Sequence, residues 1–257
     1  MINKYLQLIW LRAIGALKAD AQNSYLGSLW WILEPLLLAS LMYIAFSTGI
    51  RGSKETGASF FLFLITGLIP LKWTLSCLQT GSNSLLNNKG FIGQVYIPKW
   101  VFPATVNLSQ SIRFLFAIGI LIVFLLFLEI PIGNISIPSL IFIICIHMSL
   151  NFGISTWLAA SVPLVPDLTH LIPLISMTLM FTSGVFFDIS SRPESIQAIL
   201  NFNPMIPILD GYRGILLEQE SISPTAFQYP ILIALISTSA GLFQIQKLSK
   251  YYPRILQ

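Results

Sequence analysis

Long apolar runs, separated by short polar stretches, set the pattern of this chain. A helix needs about 20 mostly apolar residues to cross a hydrocarbon core. Six runs reach or approach that length: residues 29–50, 60–78, 105–128, 137–162, 168–187 and 229–243, the last of them short and closed by Gln244. A membrane β-barrel would alternate apolar and polar positions over short strands, whereas residues 114–128 are apolar on every side. The pattern predicts an all-α membrane protein with six transmembrane helices.

Three segments outside these runs have their own character. Tyr5, Leu8, Ile9, Ala13 and Ala16 recur at helical spacing among Lys4, Gln7, Arg12 and Lys18, the pattern of an amphipathic helix lying in the inner membrane interface. The alternative is a basic leader that only fixes topology. Arg12 and Lys18 interrupt its apolar residues, so it does not read as a cleavable signal peptide. Residues 87–103 form a polar loop, long for a helix–helix connection, that carries Asn87, Asn88, Lys89, Gly90 and Gln94 before Pro98 and Pro103. Residues 188–228 hold Pro193, Pro204, Pro207 and Pro224 around the apolar pieces 196–200 and 215–217. These pieces are too apolar for a free loop and too short to span. Re-entrant or interfacial helices satisfy both limits; a folded external cap is the other reading. The chain thus divides as one membrane domain over 1–257: an interfacial helix in 1–28, spans one to five in 29–187, a short-helix segment in 188–228, and span six with a tail in 229–257.

Composition agrees. Hydrophobic residues make up 55% and charged residues 9% of the 257, with a mean hydropathy of +0.78, against roughly 25% charged residues in soluble domains. A soluble enzyme, a disordered regulator and a nucleic-acid-binding module are excluded. Charge placement gives orientation. With both termini cytoplasmic, Lys4, Arg12, Lys18, Lys89, Lys99, Arg113, Lys247, Lys250 and Arg254 lie inside, nine in number, against four outside: Arg51, Lys54, Arg192 and Arg213. Cys77 and Cys145 lie in apolar runs without a spaced partner, which signals neither a disulfide framework nor a metal cluster.

No HExxH, GxxxxGK[ST] or GxSxG pattern occurs, so the sequence offers no clustered catalytic set. His147 reads as a packed histidine. His170 and Asp167, three residues apart, read as a capping pair or a pH relay. Ionisable groups within spans are functional candidates, because each is costly to bury in lipid. Lys72, beside Trp73, either lines a polar pathway or snorkels to the headgroups. The same two readings apply to Arg113, with snorkelling favoured, and Glu34 before Pro35 reads as the bend into span one. Aromatic residues at the interfaces, Trp30, Trp31, Phe60, Phe61, Phe63, Phe186, Phe187, Tyr212 and Tyr229 among them, are ordinary belt anchors or planes on which sugar rings stack.

Residues 23–36 read NSYLGSLWWILEPL and resemble the stretch leading into the first span of polysaccharide-export ABC transporter permeases, which move O-antigen, capsule or teichoic-acid chains. In order follow GLIPLKW at 67–73, similar to that family's Gly…Pro…Trp signature; NKGFIGQVYIPKWVFP at 88–103, similar to its loop with a Tyr/Phe-x-Pro; and NPMIPILDGYRGILL at 203–217, similar to its Asn-Pro…Arg segment. Where the family often has a basic-aromatic pair, this chain has Ala21 and Gln22.

The resemblance implies the channel-forming subunit of an ATP-driven exporter of a lipid-linked polysaccharide in the bacterial inner membrane. It implies two copies working with two separate ATPase subunits, with ATP and Mg on the partner and no cofactor here. It also implies an ATPase-coupling segment at Asn88, Lys89, Gly90, Phe91, Ile92, Gln94 and Tyr96, paired gate helices in 188–228, and a lateral entrance beside the N-terminal helix. Arg12 and Lys18 are then expected at the lipid headgroup, and Lys72, Trp73, Phe186, Phe187, Tyr212 and Arg213 along the pathway or exit gate. The alternatives are a membrane-bound transferase of envelope assembly and a related permease for small molecules.

Overall fold

The computed structural model describes residues 2–45, 58–95, 97–128, 136–189, 192–218, 224–249 and 251–252. Among these the chain is helical and contains no strand, as expected for backbone that must satisfy its own hydrogen bonds in lipid. Ten α-helices follow one another: α1 Ile2–Gln22, α2 Trp30–Ala45, α3 Ala58–Ser76, α4 Lys89–Gln94, α5 Val101–Phe127, α6 Ile137–Ser161, α7 Leu168–Thr182, α8 Glu194–Leu200, α9 Met205–Arg213 and α10 Gln228–Leu248. Five apolar helical stretches are long enough to cross a membrane: Gly27–Ala45, Ser59–Gly81, Val101–Phe127, Ile137–Ser161 and Pro224–Leu248. The sixth, α7, is apolar but has 15 residues, about 22 Å of helix.

The boundaries differ from the hydropathy runs for local reasons. α3 continues as a π turn over Cys77–Gly81, which carries the helix past the apolar run. α5 starts before the predicted 105 because Pro103 lies in its first turn, where its missing N–H removes no helical bond. α10 persists through Gln244–Leu248 as polar residues join its last turns. α7 stops five residues before the expected 187. Ser183 closes it, and Gly184 takes φ +69°, a left-handed conformation that a side chain disfavours.

α1 is amphipathic as predicted. Ile9, Ala13 and Leu17 are buried at four-residue spacing, and Ile9 packs with Ile97 and Val101. The helix lies along the start of α5: Tyr5 meets Trp100 edge-on, and Asp20 pairs with Arg113. α2 and α3 run antiparallel, joined by Glu34–Lys72 near one end and by Tyr43 against Phe60 and Phe61 at the other.

α6 and α10 form the tightest pair. Gly153 faces Ser237 and Thr238, Gly241 faces Trp157, and the Gln244 amide donates to Ser161 Oγ at 3.1 Å. This register makes the two helices parallel. The chain between them must therefore travel back along the bundle through α7, α8 and α9. Small residues permit the approach, since a Cβ on Gly241 would stand 2.7 Å from the Trp157 backbone nitrogen. A Gly241→Leu substitution is expected to push the helices apart and cost about 1–3 kcal/mol, read as a lower unfolding temperature of the detergent-solubilised chain. An unchanged temperature would contradict this packing.

Candidate functional site

The predicted site residues gather in two places. The first surrounds α9. Met205, Ile206, Ile208, Leu209, Tyr212 and Arg213 are all buried, so α9 is a core element of the bundle. α8, by contrast, buries none of its residues. α9 packs against α3 and α6.

At its centre, Trp73 stacks on Phe114 with centroids 4.2 Å apart, and the His147 ring lies 4.3 Å from Trp73. His147 Nε2 is 2.6 Å from Thr74 Oγ1, which lies 3.3 Å from Met205 Sδ, and His147 Nδ1 is 3.4 Å from the Tyr212 hydroxyl. One proton arrangement satisfies the set: Tyr212 donates to Nδ1, Nε2–H donates to Thr74, and Thr74 donates to the Met205 sulfur. Such a chain ties α3, α6 and α9 together in a low-dielectric interior, where hydrogen bonds are strong and lost partners costly.

Arg213 completes the cluster. The residue is 5% exposed, and its guanidinium donates to the carbonyls of Gly184 at 3.1 Å and Val185 at 3.3 Å. It also lies 3.6 Å from the centroid of the Phe63 ring and 3.3 Å from Asp210 Oδ1. The residues after α7 are thereby fastened to α9 and α3. Nearby, Asn203 Nδ2 donates to Ser183 Oγ at 3.0 Å while its Oδ1 accepts from the Met205 amide.

The structure thus brings together Trp73, Tyr212 and Arg213, with Phe186 and Phe187 beside the carbonyls that Arg213 holds. Tyr212 is fully buried with Phe114 and His147 against its ring, and Phe186 is 6% exposed. Of the three aromatics expected at an exit, Phe187 alone keeps substantial accessible surface, with the Arg192 guanidinium 4.3 Å from its centroid. Lys72 pairs with Glu34. Arg113 pairs with Asp20 and sits 5.5 Å from the Trp31 ring. The two pairs flank a crevice of about 70 Å³ that Gln110 also lines. Asp167 is at the α7 N-cap position but makes no side-chain capping bond.

The second place is α4. Arg12 Nη2 donates to Asn88 Oδ1, and its guanidinium carbon lies 5.1 Å from both the Phe91 and Phe102 rings. Burial lowers the Arg12 pKa from its ordinary value. Arg12, expected to meet a lipid headgroup, thus contacts Asn88, Phe91 and Phe102, whereas Lys18 is exposed. Ile92 is buried in a cluster with Leu85, Phe102, Ala159 and Tyr252. Burial pushes the Tyr252 phenol up to about 12, and its hydroxyl donates to the Ala160 carbonyl at 2.9 Å. Lys89, Gly90, Phe91 and Gln94 are exposed; Tyr96 lies outside the described residues. The free face of α4 is thus Lys89, Gly90, Phe91 and Gln94, while Ile92 anchors it.

Comparison with known proteins decides the family. The family described as ABC-2 type transporter matches residues 7–217. The chain belongs to the ABC-2 type transporter family. Two O-antigen export system permease proteins of Klebsiella pneumoniae are 25% and 28% identical over 244 and 250 residues, each alignment covering 93% of this chain and 91% of the relative. One from Myxococcus xanthus is 22% identical over 236 residues, 90% of this chain and 89% of the relative. The matched region takes in α9 and Arg213 as well as α4.

Replacing Arg213 strips two buried carbonyls of a charged donor. Arg213→Met is expected to destabilise the chain by about 2 kcal/mol or more. Arg213→Lys is expected to recover only part, because an ammonium lacks the planar fork. Thermal unfolding in detergent measures both, and an Arg213→Met variant as stable as wild type would overturn the assignment.

Proposed function

We propose that this chain is the membrane subunit of an ATP-driven exporter that moves a lipid-linked polysaccharide across the bacterial inner membrane. The observation that carries the reading is the near full-length similarity to three O-antigen export system permeases, within an established ABC-2 family match. Two copies of the chain work with two ATP-binding subunits, which hold ATP and Mg; no nucleic acid is involved.

Both termini are cytoplasmic and the chain crosses six times, with α7 and the residues after it making the fifth crossing. The parallel packing of α6 and α10 supports this, since the intervening chain has to return along the bundle. So does the excess of nine cationic residues inside over four outside. α8 and α9 are the gate helices, and release of the Arg213 and Tyr212 contacts accompanies opening. The exposed face of α4 docks the ATPase, with Phe91 as its apolar contact.

Phe91 is the informative residue there, because Ile92 is part of the chain's own core and its replacement would disturb α4 itself. In proteoliposomes holding the chain and its ATPase, Phe91→Asp is expected to place a charge in the apolar contact at the cost of its hydration. ATP hydrolysis should persist while glycan transport falls at least tenfold. Wild-type transport by the variant would exclude α4 as the coupling site. An ATPase whose wild-type complex transports small solutes but no lipid-linked glycan would exclude the substrate class.

A further inference from the structure

Beside α4, the segments 92–95 and 97–100 and the end of α10 at Ile245, Gln246 and Ser249 enclose an open groove of about 660 Å³. Its walls are mixed: Ile92, Val95, Ile97 and Ile245 are apolar, while Gln94 and Gln246 are polar. Lys99 lines it and is 5% exposed. Its ammonium has neither a hydrogen bond nor an ion pair among the described residues, in contrast to Lys72, Arg113, Arg12 and Arg213, each of which has a named partner. Burial without a counter-charge lowers the Lys99 pKa from the ordinary lysine value.

The groove cannot recruit a carboxylate side chain from the stretches that build it. No acidic residue occurs between Glu55 and Glu129, nor after Glu220, and the groove is made wholly from those two stretches. Lys89, Lys247, Lys250 and Arg254 from the same stretches add further positive charge. A lysine largely covered by the groove it lines, with no counter-charge among the described residues, leaves an ammonium that an incoming anion would pair with. The groove adjoins Ile92 and Gln94 of α4, continuous with the face assigned above to the ATPase.

We propose that this groove receives an acidic side chain, aspartate or glutamate, presented on an apolar segment of the ATP-binding subunit, and that Lys99 is its ion-pair partner. The inference rests on the docking reading of α4 and adds a second, electrostatic contact to it. Apolar neighbours on the segment fill the space between Val95, Ile97 and Ile245. The carboxylate pairs with the Lys99 ammonium as its apolar neighbours cover the open groove, so loss of the pair loosens the complex.

The test uses the detergent-solubilised complex of this chain with its ATPase. Carbodiimide, which joins an amine to a carboxylate only in direct contact, is expected to link Lys99 to one Asp or Glu of the ATPase, identified by mass spectrometry. Lys99→Met should weaken ATPase binding at least tenfold and Lys99→Glu further, while Lys99→Arg retains most of it and a Lys4→Met control matches wild type. Exchanging the cross-linked acid for lysine should restore binding to Lys99→Glu. Size-exclusion elution of each isolated variant at the wild-type volume establishes that it is folded. Binding of Lys99→Met at wild-type affinity would overturn the proposal, as would cross-links from other lysines to the ATPase with none from Lys99. A Lys99 that instead protects bound anionic phospholipid, with ATPase binding unaltered, would overturn it in favour of a headgroup site. Absence of any complex with the wild-type chain would count against the docking reading itself and so remove the ground for this one.

Discussion

The guanidinium of Arg213 holds together the part of the bundle where regular helix ends. α7 stops at Thr182, short of a full crossing, and the chain turns through Gly184 with its carbonyls released from the helical ladder. In a hydrocarbon environment such carbonyls need donors from the protein itself. Arg213 supplies them to Gly184 and Val185 and lies over Phe63, so one side chain joins the end of α7, α9 and α3. The room it occupies is set aside in the sequence: a Cβ on Gly67 would stand 2.7 Å from Arg213 Nη2.

Around this point the core is polar in a controlled way. Tyr212, His147, Thr74 and Met205 pass hydrogen bonds from α9 to α6 and α3, and Trp73 and Phe114 close the cluster with a stacked pair. A purely apolar core would hold the helices as firmly but with less specificity of position; directional bonds fix α9 in one register. The end of the bundle that carries α4 is built differently. There Ile92, Leu85, Phe102, Ala159 and Tyr252 make a small apolar knot, and Arg12 bridges α1 to Asn88 and Phe91 at α4 and to Phe102 of α5. Cation–π contacts of this kind contribute about 0.5–1 kcal/mol each at accessible sites, enough to orient α4 while leaving Phe91 and Lys89 available.

Hydropathy made the membrane class and the long helices legible, because twenty apolar residues in sequence have few other uses. It misplaced the end of α7, since residues 183–187 are apolar enough to continue a span and only their contacts with Asn203 and Arg213 explain the turn. The resemblance pointed to α4 and to Tyr212 and Arg213 without showing what they touch. Arg12 was expected at the lipid headgroup, and its hydrogen-bond partner Asn88, 76 residues away, could not be read from helix periodicity. The pairs Lys72–Glu34 and Arg113–Asp20 are separated by 38 and 93 residues, beyond any periodicity. His147 was rightly a packed residue, yet its bonds run to other helices, which spacing within its own helix could not reveal.

Export of a lipid-linked glycan has a direct consequence for where that glycan resides. In bacteria lacking this chain but retaining the glycan-synthesis enzymes, lipid-linked polymer should accumulate on the cytoplasmic leaflet. A membrane-impermeant lectin or oxidant applied to intact spheroplasts should then miss it and label it only after the membrane is opened, and restoring the chain with its ATPase should return the label to intact spheroplasts. Equal labelling of intact and opened spheroplasts in the absence of the chain would contradict the proposed function.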